Sequence, residues 1–318
     1  MKKQFLGRFR KTDPANIMNP ENYNRHLEQV EEGDASAQES GYAWFRMMAE
    51  QGYANAQLIT AMCLRDGIGT EPDGEQALEW LERSAAQGYH EAQFLLGVYH
   101  LHGGMDGVEE DEAEGLRLLE LAVEQHDHDA EYFLGMHLLN LPGEGTDAEK
   151  RGFLLLQAAA LSGVAKAEYE LGRCLYFGVG TEANREEGFS WVSRAAEAGL
   201  ADAQDFTGMC CIYGTGTETD ETAGIQWLEK AAEQELPSGL FHLGDCYFQG
   251  HGVAEDFTKA RYYLEKGAAA GSAEAQFAVG MLLLNGERME KDAEQAVQLL
   301  SRSAAQGNEE AMLQLGLC

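Results

Sequence analysis

Small and apolar residues along this chain recur at helical spacing, and whole stretches of that pattern then recur again. In AKAEYELGRCLYF (165–177), Ala167, Glu170, Leu171, Cys174 and Leu175 fall on one face, the spacing of an amphipathic helix. LERSAAQGYHEAQFLLG (81–97) is echoed by VSRAAEAGLADAQDFTG (192–208) and LEKGAAAGSAEAQFAVG (264–280). Aligned on one small residue, the copies stand at Ala56, Ala92, Ala130, Ala167, Ala203, Gly239, Ala275 and Ala311, with intervals of 36, 38, 37, 36, 36, 36 and 36. Each period predicts a helix A, a glycine loop, a helix B and a tight turn. One helix pair cannot bury its apolar faces alone, so neighbours must stack. The predicted fold class is therefore all-α: a right-handed α-solenoid of helix–turn–helix repeats, about seven full ones with partial ones at both ends.

Glycine punctuates each repeat in three places. Gly97, Gly135, Gly172, Gly208, Gly244, Gly280 and Gly316 fall inside the predicted helix A. A mid-helix glycine costs about 1 kcal/mol relative to alanine, so its recurrence implies close approach of helix B there. The pairs Gly67 and Gly69, Gly178 and Gly180, Gly214 and Gly216, and Gly250 and Gly252 supply the positive φ needed to leave helix A. Gly52, Gly88, Gly163, Gly199, Gly271 and Gly307 close helix B, whereas His126 and Glu235 stand in two of the turns, which should be looser. Helix B carries a large residue in register at Trp44, Trp80, Trp191 and Trp227, replaced by Leu118, Leu155, Tyr263 and Leu299 elsewhere.

The set A-x-A-Q-x-x-L-G, G-x-G, A-x-x-W and A-A-x-x-G at this period resembles the Sel1-like repeat family, relatives of the tetratricopeptide repeats; residues 201–234 carry nearly all of it. The resemblance covers roughly 36–318 and implies a protein-interaction scaffold. The organisation it suggests is a basic arm at 1–18, a degenerate half-repeat or cap at 19–53, repeats at 54–89, 90–127, 128–164, 165–200, 201–236, 237–272 and 273–308, and helix A of an incomplete repeat at 309–318. The repeat at 128–164 departs from the pattern, lacking the tryptophan and placing Pro142 in its loop.

A formal net charge of −31 sets the protein against phosphate backbones and anionic lipid surfaces, so nucleic acid is disfavoured as a partner and basic proteins or peptides are left open. MKKQFLGRFRK, at the start, has five basic residues and no acid. Arg8 and Arg10 interrupt any apolar core of a signal peptide, so this reads as a basic arm able to fold back on the acidic body. No apolar run reaches the roughly 18 residues of a membrane span.

Cys63, Cys174, Cys210, Cys246 and Cys318 occupy one position of helix A; Cys211 stands beside it. Equivalent positions in stacked repeats lie on the order of 10 Å apart, beyond the ~7 Å reach of a disulfide. One branch of the resembled family is disulfide-stapled between helices A and B, but no helix B here carries a cysteine. Reduced core thiols favour a cytoplasmic home. His100, His102, His126, His128 and His137 cluster in neighbouring repeats without completing a metal-ligand spacing, so no metal or cofactor is expected. The G-x-G loops lack the Lys-Ser/Thr of a phosphate cradle. Acidic stretches at 109–115, 185–188, 219–222 and 291–295 suit helix N-termini and also form a ridge that would steer a basic partner.

The resemblance places helix A on the concave face. Candidate partner-binding residues there are Met62, Arg65, Tyr176, Phe177, Met209, Tyr213 and Phe248, with Ile212 and Met281 on the same stripe and Asn55, Glu91, Asp129, Asp202 and Glu274 at its rim. Arg173 and Asp245 interrupt the stripe with charge. The same residues would also suit packing between neighbouring helices A. The leading expectation is a non-catalytic scaffold or adaptor holding a peptide or protein in this groove. One alternative is self-assembly through the C-terminal helix, with Met312, Leu313, Leu315 and Leu317 exposed. The other is a hydrolase, for which no nucleophile elbow, Ser-x-x-Lys or His-Glu-x-x-His motif is present.

Overall fold

The computed structural model describes residues 20–105, 107–141, 143, 147–286 and 288–316; the basic arm at 1–18, Pro142, Leu317 and Cys318 lie outside the described residues. Every regular element among the described residues is a helix, which makes the chain an all-α solenoid. It divides into two compact units, Met1–Leu134 and Gly135–Cys318. The first contains α1 (Pro20–Glu32), α2 (Ala35–Glu50), α3 (Ala54–Asp66), α4 (Gly74–Ala86), α5 (His90–His102), α6 (Glu112–Glu124) and the first half of α7 (His128–Leu139). The second continues with α8 (Asp147–Leu161), α9 (Ala165–Phe177), α10 (Arg185–Glu197), α11 (Ala201–Tyr213), α12 (Glu221–Glu233), α13 (Pro237–Gln249), α14 (Phe257–Ala270), α15 (Ala273–Asn285), α16 (Ala293–Ala305) and α17 (Glu309–Leu315). From α3 onward, odd-numbered helices are helix A and even-numbered ones helix B. The segment 19–53 carries a pair of helices, with Tyr23 of α1 edge-on to Phe45 of α2 at 5.5 Å.

From the repeat at 90–127 to that at 273–308, helices A and B meet through glycine, with Ala61 in its place in the repeat at 54–89. A Cβ at Gly172 would lie 2.6 Å from Val192 Cγ2 and 2.8 Å from the carbonyl oxygen of Gly188. Gly188 answers it from α10, as Gly224 of α12 answers Gly208, so the two backbones touch with no side chain between them. Gly316 differs from its counterparts: it ends α17 in a left-handed cap, φ 71°. The large residues in register on helix B stand beside the position that packs on helix A. Leu81, Leu119, Leu156, Val192, Leu228, Leu264 and Leu300, each following the large residue, are almost wholly buried, and from Leu119 on they meet the helix A glycine; Trp80 and Leu118 are buried beside them. One step along a helix turns the side chain by about 100°, which moves the tryptophan to the flank. There Arg194 stacks over Trp191 at 4.3 Å and Lys230 over Trp227 at 3.7 Å.

Loop aspartates, and Asn184 in one repeat, serve the helix ends. Asp73, Asp111, Asn184, Asp220, Asp256 and Asp292 each cap helix B by accepting the backbone N–H three residues on. The turns at His126 and Glu235 are not looser. Both residues adopt the left-handed φ of the glycines they replace, 60° and 58°, and their N–H groups bond to Val123 and Ala232 at 2.8 and 3.0 Å.

The glutamine of A-x-A-Q stitches repeat to repeat. Gln204 Nε2 donates to the Ala196 carbonyl at 3.2 Å, and its Oε1 accepts from Gln234 Nε2 at 2.8 Å. Gln57, Gln93 and Gln276 repeat both bonds, to Ala49, Ala85 and Ala268 and from Gln87, Gln125 and Gln306. Where Glu168 replaces the glutamine, Arg194 of α10 supplies the partner at 2.6 Å.

Candidate functional site

In the second unit each helix B packs on the helix A that follows it, and helices A also touch one another, α11 with α13 and α13 with α15, which draws the helix A row together on one side of that unit. Along this row the aromatic residues group. Tyr176 lies 5.0 Å from Phe206 and 5.0 Å from Phe177, and Phe177 lies 6.1 Å from Phe206, all edge-to-face. Phe177 is 59% and Tyr213 55% exposed, whereas Tyr176, Phe206, Met209 and Phe248 are half-buried. Arg185 covers the Tyr176 ring at 5.5 Å, and His251 stands edge-on to Tyr213 at 6.2 Å.

The charges on this face differ in their partners. Arg173 donates to Glu170 at 2.9 Å and lies over Tyr169 at 5.6 Å. Burial holds the Glu170 carboxyl above its ordinary pKa against the pull of Arg173, and pushes the Tyr169 hydroxyl up to about 12. Asp202 is exposed and Asp245 half-buried; burial, with the Asp245 charge beside it, raises the Tyr213 hydroxyl. Phe206 and Tyr169 escaped the sequence reading. Phe206 carried a usable signal: it stands four residues after Asp202 and three before Met209, completing a 3.6-residue stripe.

The candidates in the first unit have different surroundings. All of α3 from Ala54 to Leu64 is buried, Asn55 and Met62 included. Asn55 turns its Oδ1 to the Ala56 N–H at 2.8 Å. Arg65 grips the Asp66 carboxylate through Nε and Nη2, both at 2.8 Å, and donates from Nη1 to the Tyr99 hydroxyl. Glu91 is buried, which raises its pKa, and lies 3.2 Å from His90 Nε2. His90 Nδ1 in turn meets Asp127 at 2.8 Å, and Asp129 nearby is half-buried.

Among the described residues, Cys63, Cys174, Cys210, Cys211 and Cys246 are buried free thiols. No group of three or more His, Cys, Asp or Glu residues converges on a point there. No helix of the described residues is long and apolar enough to cross a membrane. The G-x-G loops are connectors packed on the preceding helix B: a Cβ at Gly180 would fall 2.4 Å from the Glu149 carbonyl oxygen, and one at Gly216 2.5 Å from that of Arg185. On α17, Leu313 is exposed and Met312 and Leu315 are partly so.

The Sel1 repeat profile matches residues 33–53, 54–89, 90–127, 128–164, 165–200, 201–236, 237–272 and 273–308. The chain belongs to the Sel1 repeat family. Two solved structures agree with it in fold. A protective antigen present in uropathogenic Escherichia coli strains, displaying an SLR fold, is 29% identical with a TM-score of 0.71 over 85% of this chain. This chain spans only 57% of that protein's length. A Sel1 repeat protein from Oxalobacter formigenes is 27% identical, with a TM-score of 0.65 over 93% of this chain and 85% of its own. No curated protein matches. Sel1 repeats generally serve as non-enzymatic scaffolds for protein–protein interaction. In this Sel1 array the recurrent glutamines bridge neighbouring repeats, the glycines let helices A and B approach, and the loop Asp and Asn residues cap helix B.

Proposed function

We propose that this protein is a non-catalytic scaffold or adaptor whose second unit holds a peptide or protein partner on the inner face of α9, α11, α13 and α15. The observation that carries the reading is the exposure of Phe177 and Tyr213, two large aromatic side chains on the row of helices A, bordered by half-buried Tyr176, Phe206, Met209 and Phe248. Exposed aromatic residues supply contact area at low entropic cost and anchor interfaces. Asp202 and Asp245 beside them, with a net charge of −31, favour a partner that presents basic groups.

Affinity capture with the wild-type chain and a Phe177→Ala/Tyr213→Ala variant tests this, with both melted by circular dichroism to confirm the fold. A partner retained by the wild type and lost by the equally folded variant is the expected result. A partner held equally by both would place recognition elsewhere, at the acidic helix B edge or in the first unit, and would end this reading.

A further inference from the structure

Between α13 and α15 lies a cavity of about 280 Å³, set among Phe248, Leu264, Ala278, Met281 and Leu282, with Asp245 on its wall and Asn285 and Gln249 at its exposed mouth. We infer that this cavity takes an apolar side chain of a bound segment whose adjacent residue is Lys or Arg, with Asp245 receiving the cation. The inference rests on the scaffold reading above and gives its partner a chemistry.

Several features point to that occupant. The volume suits one large aliphatic or aromatic side chain and leaves no room for a folded element. The lining is largely carbon, so a polar side chain would lose its hydration there without replacement. Among the described residues Asp245 has no hydrogen bond or ion pair, although it is half-buried, and no basic residue lines the cavity. A carboxylate in that position is attractive to a cation and repulsive to an acidic segment. Asp245 also acts electrostatically on Tyr213, which joins the cavity to the exposed aromatic row. The Arg288 guanidinium lies 5.4 Å from the Phe248 ring and 5.6 Å from that of Phe257. No helix-to-helix glutamine bond uses these residues, and of the lining only Leu264 also packs on the glycine of helix A.

The test is selection from a random peptide library of about twelve residues displayed on phage. The full chain serves as bait, followed by anisotropy titration of the enriched peptides. The variants are Ala278→Trp, which fills the cavity, Asp245→Asn, which removes its charge at nearly constant shape, and Tyr213→Ala in the aromatic row. The expected peptides pair Leu, Met or Phe with an adjacent Lys or Arg. They should lose about tenfold or more in affinity on Ala278→Trp, and on Asp245→Asn they should lose their preference over a Lys-to-Gln version of themselves. Because Asp245→Asn does not threaten the fold, it decides the matter even if the tryptophan variant is unstable. Peptides that bind Ala278→Trp and Asp245→Asn as well as wild type but fail on Tyr213→Ala would overturn the cavity while leaving the scaffold reading intact. Recovery of no peptide would overturn the cavity and count against a peptide-binding groove altogether.

Discussion

Glycine acts in this chain by two distinct physical routes, and single substitutions separate them. At Gly88, φ is +83° and nothing lies within 4 Å of an added Cβ, so alanine there meets only backbone strain. Gly88→Ala should cost about 1 kcal/mol. At Gly172 the backbone is helical and alanine gains propensity, but its Cβ collides with Val192 and the Gly188 carbonyl. Gly172→Ala should cost about 1–3 kcal/mol despite that gain, and urea midpoints of the two variants would rank them. The reverse substitution is informative at His126 and Glu235, which hold left-handed φ without being glycine. His126→Gly and Glu235→Gly should each leave stability unchanged or raise it by up to about 1 kcal/mol, relief of strain outweighing glycine's added chain entropy. A fall in thermal midpoint of either variant would contradict the strain argument.

At the level of helices, the stack depends on the glutamine that bridges a carbonyl of the preceding helix B and a glutamine of the following one. Gln204 is buried with both bonds made. Gln204→Ala leaves the Ala196 carbonyl without that donor and Gln234 with only the Gly199 carbonyl as acceptor, and should cost about 1–3 kcal/mol. Hydrogen exchange should localise the loss to α10, α11 and α12, since repeats feel chiefly their nearest neighbours. Exchange rising uniformly through the chain would instead mean that the stack unfolds as one block. The helix B tryptophans show the limit of reading register from residue size. Trp191 and Val192 are neighbours in sequence, yet it is the smaller one that packs on Gly172, as leucine does on the glycine of the other repeats.

Across the whole molecule, buried thiols and surface charge set how stability and binding respond to solution conditions. Burial pushes Cys63, Cys174 and Cys246 up to about 12, above the ordinary thiol value of 9.0. Between those values the unfolded chain has released protons that the folded chain retains, so folding stability falls as pH rises through that window. Thermal midpoints should therefore decline above about pH 9, and these thiols should resist alkylation at about pH 8 until the chain unfolds. Ready labelling of the native protein would show that the helix A thiols are accessible. The charge of −31 makes a second expectation. A basic partner should be captured more weakly at about 500 mM than at about 50 mM salt, while contacts to the aromatic row survive screening.

Much of this architecture could be read from the chain because each repeat states its constraints locally. The positive-φ glycines, the loop acids that cap helix B and the spacing of small residues act within a few turns of one another, and their physics needs no distant partner. Which members of the helix A stripe meet solvent could not be read in that way. Asn55 and Met62 hold the same repeat positions as Asp202 and Met209, yet the first pair is buried while Asp202 is exposed and Met209 half-buried. Phe206, Ala278 and Asp245 acquire their surroundings from helices one repeat away. Exposure and cavity formation are set by whatever neighbouring repeats place opposite a residue, and a local periodic pattern holds no information about that.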